Sequence, residues 1–236
     1  MPRRPRARPA FADPAARAAG TSTDWIAPDA EFEATMHAAI DAAFDDRHVR
    51  SVIDGVVAAI GDAGRSNGLT AKLLQLASPG IPDVYQGSEL WETSLVDPDN
   101  RRPVDYGAHD RLLDRLDDGW LPPVTDDGAA KLLITSRALR LRRDHPARFR
   151  AYREVPVFGA ARAHAVVFDR GGAIAVGTRL PYALGERGGW GDTVIEPSGR
   201  ELVDVVTGRR FSGGSIRLAD LLERYPAALL TAPSND

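Results

Sequence analysis

The residues best equipped for chemistry crowd into one stretch, SPGIPDVYQGSELWETSLVDPDNRRP, residues 78–103. Carboxylates stand at Asp83, Glu89, Glu92, Asp97 and Asp99, with Asp105 just beyond. Such groups serve as general acids, as general bases, or simply as turn formers. Tyr85 and Trp91 offer flat apolar faces that stack on sugar rings. Gln86, Asp99, Asn100, Arg101 and Arg102 offer the planar, multi-point hydrogen bonding that vicinal hydroxyls demand. The same arginines can instead pin neighbouring carboxylates through paired bonds, and Asp97-Pro98-Asp99-Asn100 can simply build turns. Residue types alone leave both readings open, a solvated loop or the rim of a site for a polar ring-shaped ligand.

Other catalytic signatures are scarce. There is no G-x-S-x-G, no P-loop and no H-E-x-x-H. His37, His48, His109, His145 and His164 are scattered and read as surface or helix-end residues. The glycine-rich GERGGWGD opens no helix, so it lacks the helix N-terminal amides that cradle phosphate and reads as a turn packed by Trp190. No motif requires a cofactor or a metal.

The elements that would hold the loop follow from periodicity. Residues 1–20 are rich in Pro, Arg and Ala and read as a disordered basic tail, since no aromatic is interleaved among Arg3, Arg4, Arg6 and Arg8 for bases to stack on. Phe32, Met36, Ile40 and Phe44 recur every four residues behind Asp29, a suitable N-cap. Val49, Val52, Ile53, Val56, Val57 and Ile60 mark a second helix, expected to end at Gly61 or Gly64. Leu69, Leu73 and Leu76 mark a third, stopped by Pro79-Gly80. IPDVYQG suits a brief strand with a functional end, and a long polar connection follows. Helices are then expected over AHDRLLDRL and over DDGAAKLLITSRALRLRRDHP. Beyond about residue 150 the texture changes to short β-branched runs split by Gly, Pro or Asp, the pattern of an antiparallel sandwich or barrel. This divides the chain into a tail (1–20), a mostly helical part carrying the loop (21–150), and a β domain (151–236).

The whole chain sets limits on function. Its 236 residues suffice for one large domain or two modest ones. A net charge of -3 gives no general attraction to nucleic acid or anionic lipid. The absence of cysteine removes disulfides, thiolate metal sites and thiol nucleophiles, which suits a cytoplasmic protein. No apolar run approaches the roughly 20 residues of a membrane helix, and the basic start has no apolar core of a secretory signal.

Several segments together resemble one family. The stretch from Gly80 to Glu89 is similar to the α-amylase superfamily's G-x-P-x-x-Y-x-G-x-E turn, with Gly80, Pro82, Tyr85, Gly87 and Glu89 in place. DPDNRRP resembles the D-N-x-R-x-P loop of related enzymes, with one residue fewer. TSTDWIAPDAEFEATM is similar to the H-T-S-W-x-x-P-D-x-x-Y-E segment of maltooligosyl trehalose synthases, and RGGWGDT and DVVTG resemble their C-terminal sandwich. The resemblance, to the maltooligosyl trehalose synthase family, runs from about residue 21 to the end. RGGWGDT argues against other α-glucan enzymes of the superfamily, such as sucrose phosphorylase relatives.

The resemblance implies an α/β part, the last helices and strand of a (β/α)8 barrel, followed by an antiparallel β-sandwich. It implies an enzyme that converts the reducing-end α-1,4 bond of a maltooligosaccharide to α,α-1,1, in trehalose biosynthesis. The implied mechanism is a retaining one, with two carboxyl groups roughly 5–5.5 Å apart in a water-poor pocket. A barrel alone takes about 250 residues, so this chain is expected to be a C-terminal portion from a split, truncated or misread gene. The nucleophile and acid/base would lie before its first residue, which leaves no catalytic residue here. Tyr85, Trp91, Asp99, Asn100 and Arg101 are the implied substrate contacts, and Asp83, Gln86, Glu89, Asp97 and Arg102 shape the loop. The implied partners are an α-glucan, the N-terminal part of the enzyme as a separate chain, and a functional link to maltooligosyl trehalose trehalohydrolase. The alternatives are a non-catalytic α-glucan-binding module and a non-functional remnant.

Overall fold

The computed structural model describes residues 9–94, 97, 99–197, 199 and 201–233, with only the backbone of residues 9–11 and 99. The chain forms two compact units. One comprises the residues up to Ala59 together with Glu92–Asp105, and the other comprises Ile60–Trp91 and Tyr106–Asp236. Helices predominate before about residue 150 and strands follow it.

In the first unit α1 (Pro9–Ala19) lies within the segment read as a disordered tail. Its alanines favour helix, its proline at the first position suits φ near -65°, and side-chain bonds tie it to α2 (Ala30–Asp45). Arg17 forks onto Glu33 through Nε–Oε1 and Nη2–Oε2 bonds, both 2.7 Å. Thr23 Oγ1 donates to Glu33 at 2.8 Å and accepts from the Asp29 amide at 3.0 Å. Asp29 caps α2 as expected, accepting from the amides of Glu31 and Phe32. Arg17, helped by Thr23, holds the Glu33 carboxyl down at about 2, against an ordinary 4.5. That contribution to stability is therefore complete above pH 4.5 and is lost as pH falls toward about 2. Glu33→Gln is expected to flatten this acid limb, as monitored by Trp25 fluorescence, Trp25 lying under the Arg17 guanidinium at 5.7 Å.

The second and third expected helices are one helix, α3 (Arg47–Ala77). Gly61 and Gly64 do not end it, because neither adopts the positive φ of a left-handed cap. A helical glycine costs only about 1 kcal/mol relative to alanine. The apolar face carried by α3 in the first unit is not buried. Val52, Ile53, Val56 and Val57 are each about half exposed, between 47% and 59%. Among the described residues of this unit only Thr23 and Glu33 are buried, and both are polar.

The second unit has two apolar clusters that share its larger sheet. Its helices are the C-terminal half of α3, α4 (Tyr106–Asp117) and α5 (Ala129–Asp144). The strands are β1 (Arg153–Glu154), β2 (Val157–Phe158), β3 (Ala165–Asp169), β4 (Ala173–Thr178), β5 (Val194–Ile195), β6 (Leu202–Asp204), β7 (Arg210–Phe211), β8 (Ile216–Arg217) and β9 (Ala227–Thr231), with short helices α6 (Pro181–Glu186) and α7 (Leu218–Leu221) between them. All pairings are antiparallel, in one sheet of order β1-β3-β4-β9-β6-β7 and another of order β2-β5-β8. Strand β4 shows how alternation builds two layers. Ala173 and Ala175 face Leu69, Leu73 and Leu76 of α3 and Leu133 of α5. Ile174 and Val176 face Ile195 and Ile216 of the smaller sheet. At Gly177 the approach of α3 is so close that an added Cβ would meet Thr70 Cγ2 at 2.6 Å.

The brief strand expected in IPDVYQG is absent, and among the described residues no strand precedes Arg153. A strand exists only through pairing with a neighbour, and none lies alongside this segment.

Candidate functional site

The loop begins where α3 ends. The last carbonyls of a helix have no partner within it, and here an arginine of α5 receives them. Arg142 donates to the carbonyls of Leu76 (2.9 Å), Ser78 (3.3 Å) and Gly80. Gln75 Nε2 reaches forward to the Asp83 carbonyl at 3.0 Å. A turn follows, closed by the Ser88 amide and hydroxyl donating to the Tyr85 carbonyl at 3.0 and 2.6 Å, with Gly87 at φ 84°. Asp83, Tyr85 and Gln86 project to the surface, and Tyr85 is 44% exposed.

Trp91 is held on several sides. Its Nε1–H donates to the Thr125 carbonyl at 2.8 Å, and its ring lies against α3 at Gly68. Lys131 Nζ sits 5.4 Å from the ring centroid and donates to the Leu90 carbonyl at 2.8 Å. Such fixed indole geometry shapes a surface more than it offers a free face. Glu89 turns inward. Its Oε2 is buried without a hydrogen-bond partner, 4.0 Å from Nδ1 of the buried His109. The Tyr106 ring meets His109 edge-on at 6.0 Å.

The remaining candidates belong to the first unit. Arg101 grips Asp97 through two parallel bonds of 2.8 Å, Nε to Oδ1 and Nη2 to Oδ2, one turn apart around a 3-10 helix (Asp99–Arg101). Of the two roles open to this arginine in the sequence, it therefore fills carboxylate pinning. Its side chain is still 65% exposed, so its remaining donors face solvent. Asn100 Oδ1 is buried without a hydrogen-bond partner, and Arg102 is exposed. The side chain of Asp99 lies outside the described residues. Glu92 accepts from the Ser94 hydroxyl and amide, which hold its carboxyl below the usual range. The structure thus groups Asp83, Tyr85, Gln86, Glu89 and Trp91 in one unit and Asp97, Asn100, Arg101 and Arg102 in the other.

No protein-family model matches the chain. Curated proteins of Mycobacterium tuberculosis strains H37Rv and CDC 1551, which carry the provisional name maltooligosyl trehalose synthase, are 40% identical over 223 residues. The alignment takes in 93% of this chain and 27% of theirs. The solved structure of maltooligosyltrehalose synthase from Arthrobacter ramosus superposes with a TM-score of 0.89 at 53% identity, over 95% of this chain and 30% of that one. The chain matches the C-terminal part of maltooligosyl trehalose synthase. It spans about a quarter, 27%, of the length of the curated relatives. A DSM5389 glycosyltrehalose synthase matches at 27% identity with a TM-score of 0.73, over 95% of this chain and 28% of that one.

In this chain the loop is anchored by residues that its own sequence does not announce. Gly68, Gln75, His109, Thr125, Lys131 and Arg142 lie outside residues 78–103. Nothing in their own sequence context singles them out, since α5 also carries Arg137, Arg140 and Arg143. Gly68 is the sharpest case, since an alanine Cβ there would come 2.9 Å from Trp91 Cζ3. Gly68→Ala should gain helix propensity yet lose about 1 kcal/mol net, because the clash outweighs the gain. Urea unfolding would measure the loss, and faster exchange of the Trp91 indole N–H would report the displaced ring.

Proposed function

We propose that this chain is the cleft-shaping C-terminal part of a maltooligosyl trehalose synthase, active only when joined to the part of the enzyme that precedes it. In this reading α2 to α5 are the last helices of a (β/α)8 barrel of the glycoside hydrolase family 13 type. The two antiparallel sheets are its C-terminal sandwich, and the assembled enzyme works in the cytoplasm. One observation carries the proposal. Among its described residues the first unit has no apolar core of its own, yet it presents Trp25, Ile26, Phe32, Phe44, Val52, Ile53, Val56 and Val57 to solvent. Exposed apolar surface of that extent marks an interface, and the preceding part of the enzyme is the natural cover.

The reaction moves a glucosyl bond within one maltooligosaccharide, from the reducing-end α-1,4 linkage to α,α-1,1. The preceding part supplies the nucleophile and acid/base. This chain supplies the wall that keeps the released glucose oriented while water is excluded. Tyr85 stacks on a sugar ring and Trp91 shapes a subsite floor, while Asp99, Asn100 and Arg101 bond sugar hydroxyls. Asp97 positions Arg101, while Asp83, Gln86, Glu89 and Arg102 hold the loop.

Mixing the chain with the preceding part of the A. ramosus enzyme, on maltopentaose, tests this. Reducing ends should disappear only in the mixture. Arg101→Ala should lower kcat/KM about tenfold or more, Asp97→Asn by less, and Arg102→Ala least. Activity of the chain alone, or equal small effects at all three positions, would sink the reading.

A further inference from the structure

The edge of the larger sheet carries a cleft that the loop does not explain. Its volume is about 510 Å³, and it is lined by Tyr152, Glu154, Val157, Arg162, Phe168 and Arg179 among others. That falls in the range of roughly 300–1,000 Å³ typical of small-ligand sites. We propose that this cleft binds a segment of α-1,4-glucan, with Tyr152 as its stacking platform and Arg162 and Glu154 as its hydroxyl-bonding groups. The choice of glucan rests on the function proposed above, whereas the site itself does not.

The platform is built. Phe168, 4% exposed, is anchored in the core. Its ring centroid lies 5.2 Å from that of Tyr152, tilted by 35°. Tyr152 itself is 62% exposed. One face of the tyrosine is thus propped on the core while the rest of the ring faces outward. An aromatic ring held still in this way stacks on a sugar at little cost in side-chain entropy. Beside it stand uncommitted polar groups. Among the described residues, the Glu154 carboxylate and the Arg162 guanidinium have no hydrogen-bond partner. Arg179 makes one long side-chain bond, from Nη1 to the Ala163 carbonyl at 3.3 Å.

The chemistry of the lining selects the ligand class. A lining that holds a carboxylate and two guanidinium groups offers both acceptors and donors, which a neutral polyol can pair with because its hydroxyls both donate and accept. A peptide adding itself as an extra strand is a poor fit, since β1 is two residues long and is followed by Val155 and Pro156.

Affinity electrophoresis of the 236-residue chain in amylose gels tests the site. The chain and Tyr182→Ala, an exposed tyrosine on α6 outside the cleft, should be retarded alike. Tyr152→Ala and the surface variant Arg162→Ala should each lose about tenfold in apparent affinity, with circular dichroism unchanged for Arg162→Ala. Gels cast with dextran, an α-1,6-glucan, should retard none of them. No retardation by amylose, equal retardation by dextran, or undiminished retardation of Arg162→Ala would overturn the proposal. Because this assay scores binding by the chain alone, its outcome is independent of the mixing experiment. Retardation lost at Tyr152 and Arg162 would stand even if no mixture consumes reducing ends.

Discussion

Replacing Arg170 with methionine is expected to destabilise the second unit by about 3–5 kcal/mol, since three carbonyls each lose a donor at roughly 1–3 kcal/mol for a buried one. Arg170 is 5% exposed and, among the described residues, forms no ion pair with a carboxylate. Instead its guanidinium serves three backbone carbonyls. Nε donates to Ala151 at 2.6 Å, and the two terminal nitrogens donate to Ala77 and Phe149. Ala77 is the last residue of α3, Phe149 closes the 3-10 turn after α5, and Ala151 leads into β1. One side chain from the β3–β4 connection therefore ties both helices to the sheet. Burial, together with the neighbouring Arg142, pulls the guanidinium below the usual arginine range, so its place is kept by geometry and not by charge pairing. Methionine preserves most of the volume but leaves three carbonyls without a donor. Lysine cannot restore a planar fork to three acceptors, so Arg170→Lys should recover less than half of the loss. Urea unfolding monitored by circular dichroism gives both numbers. A loss under about 1 kcal/mol for Arg170→Met would show that water replaces the guanidinium freely. Since α3 delivers the chain into the Tyr85 turn, the same variant should also loosen that turn.

Arg170 marks where the sequence stops being readable. Local chemistry was legible. Asp29 before an apolar period is a cap, Pro79-Gly80 ends α3, Pro146 follows α5, and each short β-branched run after residue 150 contains a strand. What failed was whatever depends on partners far along the chain. Glycine at 61 and 64 reads as a helix stop only if its φ turns positive, and neighbouring turns of α3 leave it helical. Val52, Ile53, Val56 and Val57 read as a core-facing stripe from spacing alone, but spacing cannot say which chain covers them. IPDVYQG has the composition of a strand and no neighbour to pair with. In the loop, the pairing of Arg101 with Asp97 follows the four-residue spacing visible in the sequence. The seat of Trp91 against Gly68 and Thr125 does not, because it joins residues 23 and 34 positions apart. An arginine that serves only carbonyls has no sequence signature at all.

Asp204 is the counterpart of Arg170 at the far edge of the same sheet, and Asp204→Ala should cost a similar 3–5 kcal/mol. The carboxylate is 1% exposed and accepts four bonds. Oδ1 takes the amides of Val206 at 3.1 Å and Leu229 at 3.0 Å. Oδ2 takes the Thr207 amide at 3.2 Å and its hydroxyl at 2.5 Å. It thereby folds the turn between β6 and β7 and fixes that turn to β9. Alanine would leave three amides unpaired, two of them buried. Asparagine keeps the shape and the Oδ1 bonds, but turns an amide donor toward the Thr207 amide, so it should lose about half as much. Burial pushes the Asp204 carboxyl above the ordinary 3.8, while the four donors pull it back. A carboxyl raised in the folded state binds its proton more tightly than in the unfolded chain. Its contribution is then complete below 3.8 and declines as pH rises through the folded value. The stability gap between wild type and Asp204→Asn, which cannot titrate, should therefore narrow as pH rises. A gap that widens with pH would mean that the donors outweigh burial and that the carboxylate, not the acid, is the form the fold prefers.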